Sequence, residues 1–106
     1  MESLRGKTVR WTFDDGPVAG MRFEHTLNED DTIVWRALDG PWKGASAQEP
    51  RYATMTISDD VCAVSYLSKS GNTLTVVLNV STGRAFGFAS GNNDWQPMTG
   101  TFEIVQ

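Results

Sequence analysis

The polar side chains with the most chemical scope in this chain are His25, Arg36, Tyr52 and Tyr66, each set in an alternation of apolar and polar residues. A strand points successive side chains to opposite faces, so alternation sorts them into inward and outward positions. His25 shares a face with Met21, Phe23 and Leu27, which turns it inward. There it is either a satisfied core imidazole or a ligand contact and proton donor. Arg36 follows Trp35, so one faces in and the other out. An inward guanidinium would serve an anionic ligand, whereas an outward one is simply solvated. Tyr52 lies on the Thr54/Thr56 face and Tyr66 with Cys62 and Val64. Either phenol can hold a ligand or anchor itself to backbone. Around these four, Trp11, Phe13, Phe23 and Trp35, with Phe86 or Phe88 further on, offer flat apolar walls.

No stronger catalytic signature stands beside them. The chain has no P-loop, dinucleotide fingerprint, HExxH or CxxC, and its single histidine cannot build a histidine-rich metal site. No catalytic set, metal site or cofactor is therefore assigned. Cys62, between Val61 and Ala63, reads as a small core hydrophobe rather than a nucleophile. The acidic clusters Asn28-Glu29-Asp30-Asp31 and Ser58-Asp59-Asp60 fall between apolar runs, where turn chemistry accounts for them without calcium. Asp14, Asp15 and Asp39 are read as turn residues too, and Glu24 as outward-facing.

The elements that must position these side chains are strands. The pattern predicts eight: Lys7 to Phe13, Met21 to Leu27, Thr32 to Leu38, Arg51 to Ile57, Val61 to Leu67, Thr73 to Val80, Arg84 to Ala89 and Trp95 to Val105. Asp14-Asp15-Gly16-Pro17, Ser68-Lys69-Ser70-Gly71-Asn72 and Ser81-Thr82-Gly83 are among the turns. Residues 39–50 read as the one long loop, with a short helical turn around Ala45 to Gln48. Pro97 and Gly100 are expected to bend or interrupt the last strand, and Gly87 to mark a close backbone approach. Short strands with tight turns pair neighbour to neighbour, which predicts an all-β, eight-stranded, antiparallel up-and-down barrel. A two-sheet sandwich is the alternative. Eight strands enclose room for packed side chains or one small ligand.

Size and charge set the outer limits. A chain of 106 residues is expected to form a single domain over 1–106. A net charge of −4 and the absence of a basic stripe argue against a nucleic-acid partner. No apolar run approaches the roughly 20 residues of a membrane span, and Met1-Glu2-Ser3-Leu4-Arg5-Gly6-Lys7 lacks a secretory pattern. The expectation is a cytoplasmic domain with no membrane partner.

The order Trp11-Thr12-Phe13-Asp14-Asp15-Gly16, Phe23-Glu24-His25-Thr26 and Val34-Trp35-Arg36 resembles the start of MoaF-like domains, named after the molybdenum cofactor biosynthesis protein F. Val64-Ser65-Tyr66, Ser70-Gly71-Asn72-Thr73-Leu74, Leu78-Asn79 and Gly87-Phe88-Ala89 before Trp95 extend the resemblance over most of the chain. It implies a calycin, lipocalin-like barrel more firmly than any activity. The chain is also similar to bacterial phenolic acid decarboxylases, small calycin barrels that grip a carboxylate with a Tyr-x-Tyr pair. That pair falls here on Trp11 and Phe13, which carry no hydroxyl, and the family's glutamate falls near Ser68. Its arginine has only Lys43 and Arg51 loosely placed.

The reading is therefore a binding module. A small apolar or aromatic molecule would sit in the lumen against Trp11, Phe13, Phe23 and Trp35, oriented by His25, Arg36, Tyr52 or Tyr66. The alternatives are a small lyase using His25 or a tyrosine as acid or base, and a non-catalytic structural or oligomerising domain. The resemblance to calycins also suggests a homodimer.

Overall fold

The computed structural model describes residues 4–16 and 18–105. Met1 to Ser3, Pro17 of the first turn and Gln106 lie outside the described residues. The strands are β1 (Thr8–Phe13), β2 (Arg22–Leu27), β3 (Ile33–Ala37), β4 (Ser46–Glu49), β5 (Tyr52–Thr56), β6 (Val61–Leu67), β7 (Thr73–Asn79), β8 (Arg84–Gly91) and β9 (Asp94–Ile104). The one helical element among the described residues is a 3-10 turn at Gly40–Trp42.

Among the described residues, these nine strands join one antiparallel sheet in the order β4-β3-β2-β1-β9-β8-β7-β6-β5. The first strand closes onto the last, from Val9 opposite Ile104 to Phe13 opposite Gly100. The outcome is a nearly closed antiparallel barrel.

Nine strands replace the expected eight because the fourth passage is broken. β4 bonds to β3 and β5 to β6, and the two meet at Pro50-Arg51 without pairing. Proline has no N–H to give to a ladder, so pairing stops there. Just beyond it, the Tyr52 N–H donates to the Asp31 carbonyl at 3.0 Å, which keeps the start of β5 beside the start of β3. The helical turn expected at Ala45 to Gln48 is strand instead. Ala37 N–H donates to Ala45 O at 2.9 Å, and the open edge of β3 takes up the segment that follows.

Alternation decides what fills the interior. Val9, Trp11 and Phe13 of β1, Leu27 of β2, Ile33 and Ala37 of β3, and Cys62 and Val64 of β6 are all buried. In β8 the inward positions are the small residues Ala85, Gly87 and Ala89, and Phe86 and Phe88 face solvent. They are not walls of the lumen. The Phe13 ring takes the space, since a Cβ on Gly87 would lie 3.2 Å from Phe13 Cζ. Cys62 is a core residue, and burial pushes its thiol pKa up.

β9 runs through Pro97 without interruption. Thr99 turns its N–H away from β8 to the Asp15 carboxylate at 2.9 Å. By alternation Pro97 turns its nitrogen the same way, onto a stretch that β1 does not pair.

The outside of the barrel has two characters. Across β9, β1, β2 and β3, Glu103, Arg10, Glu24 and Arg36 lie side by side with alternating sign. Glu24 takes Arg10 at 2.8 Å and Arg36 at 2.9 Å. The hydrogen bond from Arg10, with Arg36 assisting, holds the Glu24 carboxyl below the usual range. Across β6 to β9, the outward rows are Leu67-Thr73-Ser90-Trp95, Ser65-Thr75-Phe88-Pro97 and Ala63-Val77-Phe86-Thr99. None of these residues is charged.

Candidate functional site

A cavity of about 270 Å³ opens inside the barrel. Its walls are rings: Trp11 and Phe13 from β1, Phe23 from β2 and Trp35 from β3. Trp42 adds a further ring from the 3-10 turn, where it is half exposed and forms part of the rim. The β6–β7 turn adds Ser68, Ser70 and Asn72 to the rim. Their polar groups bond to one another, Ser68 Oγ to Ser70 Oγ at 2.6 Å and Asn72 Nδ2 to Ser70 Oγ at 3.1 Å.

His25 and Tyr66 meet in the lining. The His25 ring stacks on Trp11, with centroids 4.0 Å apart and planes 20° from parallel. Its Nε2 shares a hydrogen bond with the Tyr66 hydroxyl at 3.0 Å, and its buried Nδ1 has no protein partner. Burial lowers the His25 pKa from 6.5 to about 3, so the ring is neutral at ordinary pH. Burial, then the nearby Glu49 charge, pushes the Tyr66 phenol well above its usual value.

Glu49 is the side chain that sequence reasoning missed. It ends β4, faces inward with Ala47, and is only 4% exposed. Its two carboxylate oxygens each accept one N–H: Trp35 Nε1 donates to Oε2 at 3.0 Å and Lys69 backbone N donates to Oε1 at 3.0 Å. A carboxylate fits this position because both donors need an acceptor, which a single amide oxygen would have to share. The same contacts tie the end of β4 to the β6–β7 turn. The signal was faint, because β4 reads Ser46-Ala47-Gln48-Glu49 with no large apolar residue.

Six of the eight residues expected at a lumen site border this cavity: Trp11, Phe13, Phe23, His25, Trp35 and Tyr66. Arg36 and Tyr52 do not. Arg36 stands on the outer surface against Glu24, because Trp35 takes the inward position. Tyr52 is buried, but its hydroxyl donates to the Asn28 carbonyl at 2.8 Å and Arg5 lies over its ring at 5.1 Å. It fastens the broken passage to the β2–β3 turn rather than facing the cavity. Ser68, the nearest match to the decarboxylase glutamate, sits on the rim.

Two comparisons bear on identity. The chain aligns with the crystal structure of "a putative beta-lactamase from Burkholderia vietnamiensis" at a TM-score of 0.81. That alignment has 20% sequence identity and covers 98% of this chain and 97% of that one. At such identity the likeness speaks for the fold alone. No curated relative matches the chain. Residues 1–94 match the MoaF N-terminal domain, the length that forms β1 to β8. The chain belongs to the MoaF N-terminal domain family.

Proposed function

We propose that this protein is a calycin-like binding domain, working in the cytoplasm, whose barrel takes up a small apolar or aromatic molecule. The observation that carries the reading is the ring-lined cavity of about 270 Å³ left inside a barrel that could have filled it with side chains. Burial of apolar surface supplies affinity, and the few polar groups select orientation. The His25–Tyr66 pair suits holding better than proton transfer. Both groups are driven away from neutral pH, whereas an acid–base catalyst works best near it.

The test is a thermal-shift series over phenolic acids, aldehydes, fatty acids and pterins, read together with tryptophan fluorescence. A ligand held at ten times its Kd adds about 1.4 kcal/mol, several °C in Tm for a domain this size. Ala89→Phe, which fills the cavity from β8, is expected to remove the shift. No shift with any class, and unaltered tryptophan emission throughout, would sink the reading.

A second surface supports a partner. With Leu67 56%, Phe86 43%, Phe88 53% and Trp95 60% exposed, four large side chains stand on uncharged outer rows. Taking roughly 200 Å² for each such side chain, and adding the small residues between, the face presents about 500 Å². Two copies face to face would bury about 1,000 Å², the lower limit for a specific pair. The rows themselves are uncharged, and the two charges at their margin are of opposite sign: the Arg84 guanidinium 5.8 Å from the Phe86 ring centre and the Asp15 carboxylate on Thr99. We propose a weak, reversible homodimer through it. Sedimentation equilibrium is expected to give a mass rising with concentration, and Phe88→Glu a monomer with unchanged Tm. A wild-type mass fixed at the monomer value across the range would end this proposal.

A further inference from the structure

We infer that the molecule this cavity selects is a protonated amine on a small apolar or aromatic body, held by the Glu49 carboxylate and the rings of Phe23, Trp35 and Trp42. The inference rests on the binding role proposed above and narrows it to a ligand class.

Glu49 is the first argument. It lines the cavity, is almost fully buried, and forms no ion pair with any cation among the described residues. A buried carboxylate is expensive to keep unless charge and hydrogen bonds compensate it. Trp35 and Lys69 give it one N–H each, through an indole and a backbone amide, so neither brings a positive charge. A carboxylate offers about four lone-pair sites, which leaves acceptor capacity on both oxygens. An ammonium group fills both needs, since it brings the missing charge and up to three N–H donors.

The rings are the second argument. Phe23 packs edge-on against Trp35, with centroids 6.3 Å apart at 66°, and against Trp42, 6.5 Å apart at 71°. Three aromatic planes in different orientations therefore border the same space. Ring faces carry negative potential, and such groupings attract cations, tryptophan most strongly.

The rest of the lining does not compete. It contains no Lys or Arg, its neutral imidazole is bonded through Nε2 to its phenol and keeps only Nδ1 over, and beside Trp42 its rim is serine and asparagine. Glu49 is thus its one formal charge. The net charge of −4 also favours approach of a cation over an anion. An anionic ligand, as a phenolic acid decarboxylase would take, meets a like charge here.

The test compares 2-phenylethylamine, 2-phenylethanol and phenylacetate, one body carrying positive, zero and negative charge, by calorimetry on the full chain. The amine is expected to bind about tenfold tighter than the alcohol, with phenylacetate weakest. Glu49→Gln is expected to bring amine and alcohol to within about threefold of each other by weakening the amine. Trp42→Ala, at an exposed rim position, is expected to weaken the amine more than the alcohol and leave Tm unchanged. If Glu49→Gln does not fold, the wild-type order of the three probes decides. An alcohol or phenylacetate binding as tightly as the amine overturns this inference and leaves a binding cavity in place. Absence of binding by all three, with no response in the wider ligand series, removes both.

Discussion

Replacing Gly100 with alanine is expected to cost about 3 kcal/mol or more of folding stability, enough to leave the chain partly unfolded. Gly100 sits where β9 lies between β1 and β8, opposite Phe13 on one side and Ala85 on the other. A Cβ there would come within 1.9 Å of the Thr12 carbonyl oxygen and 2.8 Å of Phe13 Cα. Both obstacles are backbone of the neighbouring strand, so no side chain can rotate away. The barrel would have to spread at the one place where its first and last strands meet. Urea unfolding monitored by tryptophan emission measures the loss. A cost under about 1 kcal/mol would mean that the strands do not approach this closely.

Acidification should weaken the fold well before its carboxylates are protonated. The folded His25 imidazole has a pKa of about 3, against an ordinary 6.5 once the chain unfolds. Between those values the unfolded state binds a proton that the native state refuses, so stability falls as pH drops through this window. The linkage relation gives a loss of about 2 kcal/mol between pH 7 and pH 5, and about 3 kcal/mol by pH 4. The depressed carboxyls of Glu24, Asp30 and Asp39 add their own loss only below their unfolded pKa values, near pH 4. The interval from pH 6.5 to 5 therefore belongs to His25. Urea midpoints across it should slope, and His25→Gln should flatten the slope. A ring resonance of His25 that titrates near pH 6.5 in the native protein would contradict the prediction.

The strand positions were legible because period-two alternation and turn residues point the same way. Val61–Leu67 and Thr73–Asn79 fall where the pattern puts them, and so do the inward His25 and Trp11. The pattern fails where residue size and residue direction part company. In β8 hydropathy favours Phe86 and Phe88 as the inward pair, but Phe13 occupies that space and only Ala85 and Gly87 fit beside it. In β4 the inward residues are Ala47 and Glu49, a small one and a charged one, so nothing in the local sequence says strand. Glu49 makes sense only once Trp35 and the Lys69 amide converge on it from elsewhere in the chain. Tyr52 was legible as buried or ligand-facing, and the choice between them turned on a carbonyl in a distant turn. The cavity's hydrophobic walls are local properties of strands, but its charge is a property of the assembled barrel.

The junction of first and last strands, Val9 against Ile104, also sets how the molecule is reached in time. Neighbouring hairpins can zip as soon as they are synthesised, whereas this junction must wait until β9 has been made, about ninety residues after β1. Chains dominated by such remote pairings fold in milliseconds to seconds rather than microseconds. During that delay the outer bonds of β1 and β8 have no mate, and they are the stretches an emerging chain has most need to keep from its neighbours.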